Sequence, residues 1–431
     1  MAATAIVQAG NYDLQIDTGY MVDAFILDDP VKGVLDNTTY VLDGTTQYAS
    51  VITGSNNIST RRGRRQLGDA FTAGIMTFTL NDTLAGGVFN PFDTSSPFYD
   101  PTNAKAGLAP MRAVRLMRYD TGNVIKYLFT GYITNYTYTF NLGALDSVTV
   151  TCADDFYLLA QTELDEYDVP AALSGARITA VLDRPEIDYP SGSRNIADGT
   201  VNLGSGVAYT VPAGTNALQY LTQINDTAEQ GRLFMSRDGV LTFTNRIGNT
   251  FTGALVTFSD DGTGTKYDGI DIRFDADEVT NRVSVATLGG DTATADDTAS
   301  QATYFIQNTS ISSSLLDSAA DALTLATYLI VGSPEPRFSD LSTSFTLLST
   351  AQRDAVAILD IGDTITIKKT FIAGTVPASL TQELAVEGIE HRIDVNNGHT
   401  VTIYTTPTAI VYPFILDDPT YGVLDASNAV I

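Results

Sequence analysis

The sequence predicts a mainly β protein with a few short helices, divided into several domains. Three observations lead there. Thr, Gly and Asp are abundant, and long Lys/Glu-rich helical stretches are absent, a balance that favours strands and turns. Apolar and polar side chains alternate in many short runs, among them Gly74–Leu80 and Ser147–Cys152. At 431 residues the chain exceeds a single typical core, which implies two to four domains.

Taken in order, residues 1–44 read as an N-terminal arm. It carries the unit FILDDPVKGVLD, Phe25–Asp36. Phe25, Ile26 and Leu27 suit a short strand, Asp28 and Pro30 close it, and Gly33 allows a turn before Val-Leu resumes extension. Residues 45–152 read as a first barrel-like β domain. It contains a hairpin whose turn is Asp120–Asn123, between Met111–Tyr119 and the run VIKYLFTGYI. Residues 153–231 read as a helix- and loop-rich connector, with helices predicted over 154–161 and 216–231. Residues 232–345 read as a mixed β domain. Asp238–Gly239 is its hairpin turn, 289–300 an exposed loop, and 315–331 a helix stopped by Pro334 and Pro336. Residues 346–406 read as the closing strands of a second barrel-like body. Residues 407–431 repeat the opening unit as FILDDPTYGVLD, with Phe414, Ile415, Leu416, Asp417, Pro419 and Gly422 in the same places. Ten of the twelve positions match, so both arms are expected to add strands or wedges to equivalent docking surfaces.

Charge and chemistry narrow the function. A net charge of -26 argues against a general nucleic-acid binder, although it suits a non-adhesive channel that nucleic acid slides past. Against that background Arg61, Arg62, Arg64 and Arg65 form a dense basic run. It reads either as a contact to an acidic partner or phosphate, or as a solvated turn whose arginines pair with nearby acids. The single Cys152 excludes an intrachain disulfide framework and reads as a buried small hydrophobe. His391 and His399 are too few for a three-ligand zinc site, and a strand puts Glu390 and His391 on opposite faces, so a surface or cross-strand pair is expected. The stretch Asp260–Asp271 has the composition of a calcium loop but lacks the closing Glu and flanking helices. Adjacent carboxylates in turns do not supply a glycosidase pair, and no nucleophile elbow, Walker loop or dinucleotide fingerprint is present. No catalytic residue, metal or cofactor is expected, and no run of 18 apolar residues marks a membrane span. A Tyr/Phe-rich loop over 89–99 leaves a receptor- or carbohydrate-binding module as the alternative.

Several of these segments together resemble minor tail proteins of siphophages, of the baseplate-hub or tail-tip type. The resemblance rests on the order of Arg61–Leu67, Gly74–Asn81, Phe89–Pro91, Arg112–Phe129, Val148–Asp154, Asn216–Ile224, Arg237–Phe243, Ile361–Ile367, Val386–His391 and His399–Ile403. The Leu-Asp-x-Pro-x-x-Gly-Val-Leu-Asp unit is also similar to one carried by tail-tip proteins of actinobacterial phages. The resemblance implies two tail-tube-like β-barrel domains and a structural homotrimer in the virion, assembled in the host cytoplasm. Such a trimer adapts the tail tube, or distal tail protein, to a threefold tip, carries other tip or fibre proteins, and lines a channel for DNA and the tape-measure protein. With only the second arm predicted after the last barrel strand, no wall-degrading extension is expected.

Overall fold

The computed structural model describes residues 11–18, 30, 33–35, 48–65, 69–82, 87–96, 98–100, 105–106, 108–142, 145–204, 209–246, 254–372, 377–394 and 398–407. Of the repeated unit, Pro30, Gly33, Val34 and Leu35 are described. Phe25, Ile26, Leu27 and Asp28, and the whole second copy from Phe414 to Gly422, lie outside the described residues.

A first body is built from β1 (Tyr12–Asp17), β2 (Tyr48–Ser50), β3 (Ser55–Gly63), β4 (Ile75–Asn81), β5 (Ala113–Tyr119), β6 (Ile125–Thr139) and β7 (Ser147–Ala153). A middle lobe follows, with α1 (Phe156–Gln161), α2 (Ser174–Leu182), α3 (Ala217–Ile224) and the hairpin β8 (Arg232–Met235) and β9 (Leu241–Thr244). The chain opens a second body with β10 (Val256–Ser259) and β11 (Gly269–Arg273). It then returns to the lobe through β12 (Arg282–Ala286), β13 (Thr292–Asp296), α4 (Thr298–Tyr304), β14 (Asn308–Ile311) and α5 (Ala319–Tyr328). The second body resumes with β15 (Arg337–Ser344), α6 (Thr350–Ala357), β16 (Thr364–Thr370), β17 (Ser379–Asp394) and β18 (Gly398–Pro407). The protein is therefore mainly β.

The two bodies form one thirteen-stranded sheet. Its path runs β2-β1-β5-β6-β7-β4-β3-β17-β18-β15-β11, and β16 joins β10 to β17 from the side. The bodies repeat each other. In the first the spatial order is β1-β5-β6-β7-β4-β3, and in the second it is β10-β16-β17-β18-β15-β11. With the short β2 left out and the remaining six strands of each body numbered by position in the chain, both read first, fourth, fifth, sixth, third, second. One pairing departs from the repeat: β1 is antiparallel to β5, whereas β10 is parallel to β16. Each body also draws its outer strands together. The run 48–63 pairs with β1 at its start and with β4 at its end, and the Val51 amide donates to the Leu14 carbonyl. In the second body Thr265, just before β11, exchanges backbone bonds with Thr257 and Ser259 of β10.

Alternation explains the burial. Along β1 the pattern is strictly buried and half-buried, with Leu14 and Ile16 fully enclosed. One apolar core is shared by both bodies, from Leu14, Phe78 and Phe129 to Phe338, Ile365 and Ile403. Cys152 is buried within it, and burial pushes its thiol up. A second core holds the lobe together and joins 156–243 to 283–326, so the 232–244 hairpin packs with α3.

Several sequence expectations are corrected. Residues 289–300 are not a bare loop: β13 and the start of α4 lie there, because Ala293 and Ala295 turn inward on the lobe core and Asp297 caps the helix. The predicted helix 315–331 begins only at Ala319, capped by Ser318, while Leu315 and Leu316 are buried ahead of it. The helix from 217 ends in a π turn, Asn225–Glu229, and Gln230 rather than Gly231 takes the left-handed cap. Helices α2 and α6 were not anticipated. A capping box, Ser349 with Gln352, marks the start of α6.

Candidate functional site

The joint between the two bodies gathers a dense group of buried polar and charged side chains. It forms where β3 lies antiparallel to β17, from Gly63 opposite Gly388 to Ile58 opposite Ile393. The glycines make the approach possible. A Cβ on Gly63, whose φ is +81°, would lie 2.2 Å from the Glu387 carbonyl oxygen, and one on Gly388 would lie 2.4 Å from the Arg64 carbonyl oxygen. Gly388→Ala is accordingly expected to lower stability by about 3 kcal/mol. A urea unfolding midpoint unchanged from wild type would contradict the close packing.

Glu387 sits one residue before this glycine, at a bulge in β17 between Val386 and Gly388, and is fully buried. Arg64 Nε donates to it at 2.8 Å and Arg232 Nη2 at 2.8 Å. Burial alone would raise its carboxyl, but the guanidinium groups of Arg232 and Arg64 prevail and hold it below the usual carboxylate range. The three residues come from the second body, the first body and the lobe, so one carboxylate ties all three. A second tie lies alongside. Arg62 Nη1 donates to Asp360 Oδ1 at 2.6 Å and to the Met235 carbonyl at 3.3 Å, while the Arg237 amide reaches Asp360 Oδ2 at 2.8 Å. Near it, Asp154 accepts from the amides of Gly74 and Phe156, and burial raises its carboxyl to about 7. Burial also raises Asp363, to about 6.

Both histidines are in the same joint. His391 Nδ1 and His399 Nε2 are 3.0 Å apart, and His399 Nδ1 is 2.8 Å from the Tyr12 hydroxyl of β1. Phe345 packs on His399 with ring centroids 3.9 Å apart. Burial, helped by the nearby charges of Arg62 and Arg237, lowers His391 to about 3; burial, His391 and Arg118 lower His399 well below its usual value. The pair is cross-strand, as expected, but buried rather than on the surface.

The arginine run is thus part of a strand and its margin, not a turn. Arg62 is buried and Arg64 is half-buried with its guanidinium 4.5 Å from the Phe71 ring centroid. Arg61 and Arg65 are exposed, and Arg65 lies 5.7 Å from the Tyr404 ring centroid. Two of the four arginines are consumed inside the fold, and two remain for an outside contact. The signal that missed the joint is plain: Glu387 and Arg232 are 155 residues apart, and nothing local links them.

Other candidate groups are engaged. Asp260 and Asp261 pair with Lys369 and Lys368, at 2.6 and 2.7 Å, and Asp261 also accepts from Ser259 and Thr263. Among the described residues no group of three or more His, Cys, Asp or Glu is placed to hold a metal, and no helix is long and apolar enough to cross a membrane. In the aromatic loop Phe89 and Phe98 stack on each other, 5.7 Å between centroids, and Phe92 stands 83% exposed.

No protein-family model matches the sequence, and no curated protein matches it. Among solved structures, the chain is similar to a tail protein from Neisseria meningitidis MC58, with a TM-score of 0.56 and 12% identity. The match covers 94% of this chain and 100% of that one. It is also similar to the 43 kDa tail protein of prophage MuSo2 from Shewanella oneidensis, with a TM-score of 0.55 and 14% identity, over 92% of this chain and 98% of the other. At these identities the likeness is one of fold: the chain has the fold of these two tail proteins.

Proposed function

We propose that the protein is a structural component of a phage tail tip, a hub that adapts the tail tube to a threefold tip. In this reading three copies surround a channel that passes DNA and the tape-measure protein. The observation that carries it is the repeat within the fold. Each copy contributes two bodies of identical strand order welded edge to edge, so three copies present six similar bodies to a sixfold tube. Each body is proposed to be a tube-like β-barrel, and the backbone bonds that draw its outer strands together support this. The tail-protein titles of the two structures similar in fold point the same way. The acidic balance of the chain suits a wall along which phosphates slide without sticking. The role is structural rather than catalytic. Arg61 and Arg65, with the repeated arms, are the proposed contacts to the tube or distal tail protein and to tip or fibre proteins.

Electron microscopy of tails assembled with a labelled copy of the protein tests the reading. The expected result is three labels in one ring at the tail end. Label along the tube, or a ring of another order, would overturn it.

A further inference from the structure

The lobe holds one aromatic side chain where the backbone disfavours it. Phe305 follows the end of α4 with φ +60° and ψ 179°. That conformation is essentially reserved for glycine, and holding any other residue in it costs free energy. Interior packing does not offset the cost, because Phe305 is 81% exposed and the next residue, Ile306, is 54% exposed. The conformation is imposed from beneath. Asn281 is fully buried. Its Nδ2 donates to the Phe305 carbonyl at 2.7 Å and to Ser300 Oγ at 3.1 Å, and its Oδ1 accepts from the Gln307 amide at 2.8 Å. The backbone amides of Asn281 and Arg282 both donate to the Gln307 carbonyl, and Gln301 Nε2 donates to the Asn281 carbonyl at 2.9 Å. One buried amide side chain thus fixes the turn on both sides of Ile306. Glycine would make the same turn without strain, so the outward phenyl ring is the feature that the strain maintains.

The surroundings of the ring define a ligand. Thr303, Gln307, Asn308, Thr309 and Ser310 are all exposed beside it in the chain, and residues 298–316 hold no Asp, Glu, Lys, Arg or His. The last three of those five lie on β14, which pairs with β12 and with no other described strand, so its outer edge also offers backbone donors and acceptors. Hydroxyl and amide side chains give and take hydrogen bonds without charge. An aromatic face carries negative charge density and attracts the weakly positive C–H groups of a saturated ring. A protein contact would surround its aromatic anchor with further apolar side chains, whereas from 303 to 310 Ile306 is the one apolar companion. An anionic ligand needs a cation, and Arg282 on the adjoining strand is already paired with Asp296 at 2.6 Å.

We infer that this face of the lobe binds a neutral polysaccharide. A sugar ring stacks its C–H face on Phe305, and the hydroxyls of the chain bond to the amides and hydroxyls of Thr303 and residues 307–310. The turn fixed by Asn281 holds the phenyl group in place before the ligand arrives, so binding does not have to order it. The acidic balance of the chain is no obstacle to an uncharged ligand, whereas it repels an anionic one. The site is separate from the joint between the bodies and does not depend on the tail-tip reading.

Affinity electrophoresis of the full chain tests the site. Native gels carry a soluble α-glucan, β-glucan, mannan or galactan, with polygalacturonate as the charged control. The wild type is expected to be retarded by at least one of the four neutral polymers and not by the control. Phe305→Gly separates binding from folding. It should weaken the retardation at least about tenfold, yet raise the urea unfolding midpoint, because glycine adopts the turn without strain. Phe305→Trp should keep the retardation, and Asn308→Ala should weaken it with the midpoint unchanged. A wild type that runs freely through all four neutral gels, or is held equally by polygalacturonate, would overturn the inference. So would a Phe305→Gly variant retarded like wild type, or one whose midpoint falls, since the ring would then serve packing. If the wild type runs freely while Phe305→Gly is lost from assembled tails, the face is a protein contact and the polysaccharide inference fails, with the tail-tip reading left standing.

Discussion

Replacing Glu387 with alanine is expected to lower the unfolding free energy by about 3–5 kcal/mol, the usual cost of breaking a buried ion pair by removing one partner. The reason is geometric. Glu387 is fully buried, and Arg64 and Arg232 both donate to it at 2.8 Å. Its removal leaves two guanidinium groups enclosed with their counter-charge gone. Because the three residues belong to three parts of the fold, the loss should also appear as faster amide exchange in β3 and β17 together. Urea unfolding monitored by fluorescence and by exchange measures both. A loss under about 1 kcal/mol would show that the joint does not depend on this carboxylate.

The second large effect concerns pH, and its sign follows from opposed groups in the same joint. His391 and His399 are held neutral when folded but charge near 6.5 when unfolded, so they withdraw stability as pH falls below that value. Together their slope approaches about 2.7 kcal/mol per pH unit. Asp154 and Asp363 act the other way. Their folded carboxyls take up protons near 7 and near 6, above the unfolded range, so they add stability as pH falls, each with a slope of up to about 1.4 kcal/mol per unit. Between pH 6 and 4 the two sets nearly cancel, and the wild-type profile is expected to be close to flat. Below about 4.5 the depressed Glu387 pair begins to be lost and stability falls. The double variant His391→Gln/His399→Gln removes one side of the balance. Its stability should rise as pH falls from 6.5 to 5, measured by chemical unfolding at each pH. A variant profile as flat as that of wild type, or one that falls, would refute the assignment.

How much of this was legible in the sequence depends on how far apart the interacting residues lie. Strands with local alternation, such as 75–81, 113–119 and 241–244, were readable because the period of two is written in neighbouring residues. The capping box of α6 is legible in the sequence as Ser349 followed three residues later by Gln352. Helix α2 has no side-chain cap at its start, and the sequence around it looks like loop. The repeat of the two bodies left no trace at the level of residues. What is repeated is strand order, while the side chains differ: Gly388, just after the bulge of β17, has Asn135 in the same place after the bulge of β6. The joint was invisible for the same reason. Arg62 finds Asp360 across 298 positions, and only the fold brings them together. Four arginines in five positions did signal something, and it was partly an internal contact.

Pairing β3 with β17 has a consequence for how the chain is made. Body one is complete once Ala153 has been synthesised, but its partner strand begins at Ser379, roughly 230 residues later. At about 5–20 residues per second the ribosome needs on the order of 10–45 s to supply it. Throughout that interval the side of β3 that will meet β17 has no partner and is open to strands of other nascent chains. Arg61, Arg62 and Arg64 lie on or beside that edge. Charges there oppose premature pairing with a neighbour. Arg62 and Arg64, which later lock the joint, thus guard it during synthesis, until the carboxylates of Asp360 and Glu387 arrive to claim them.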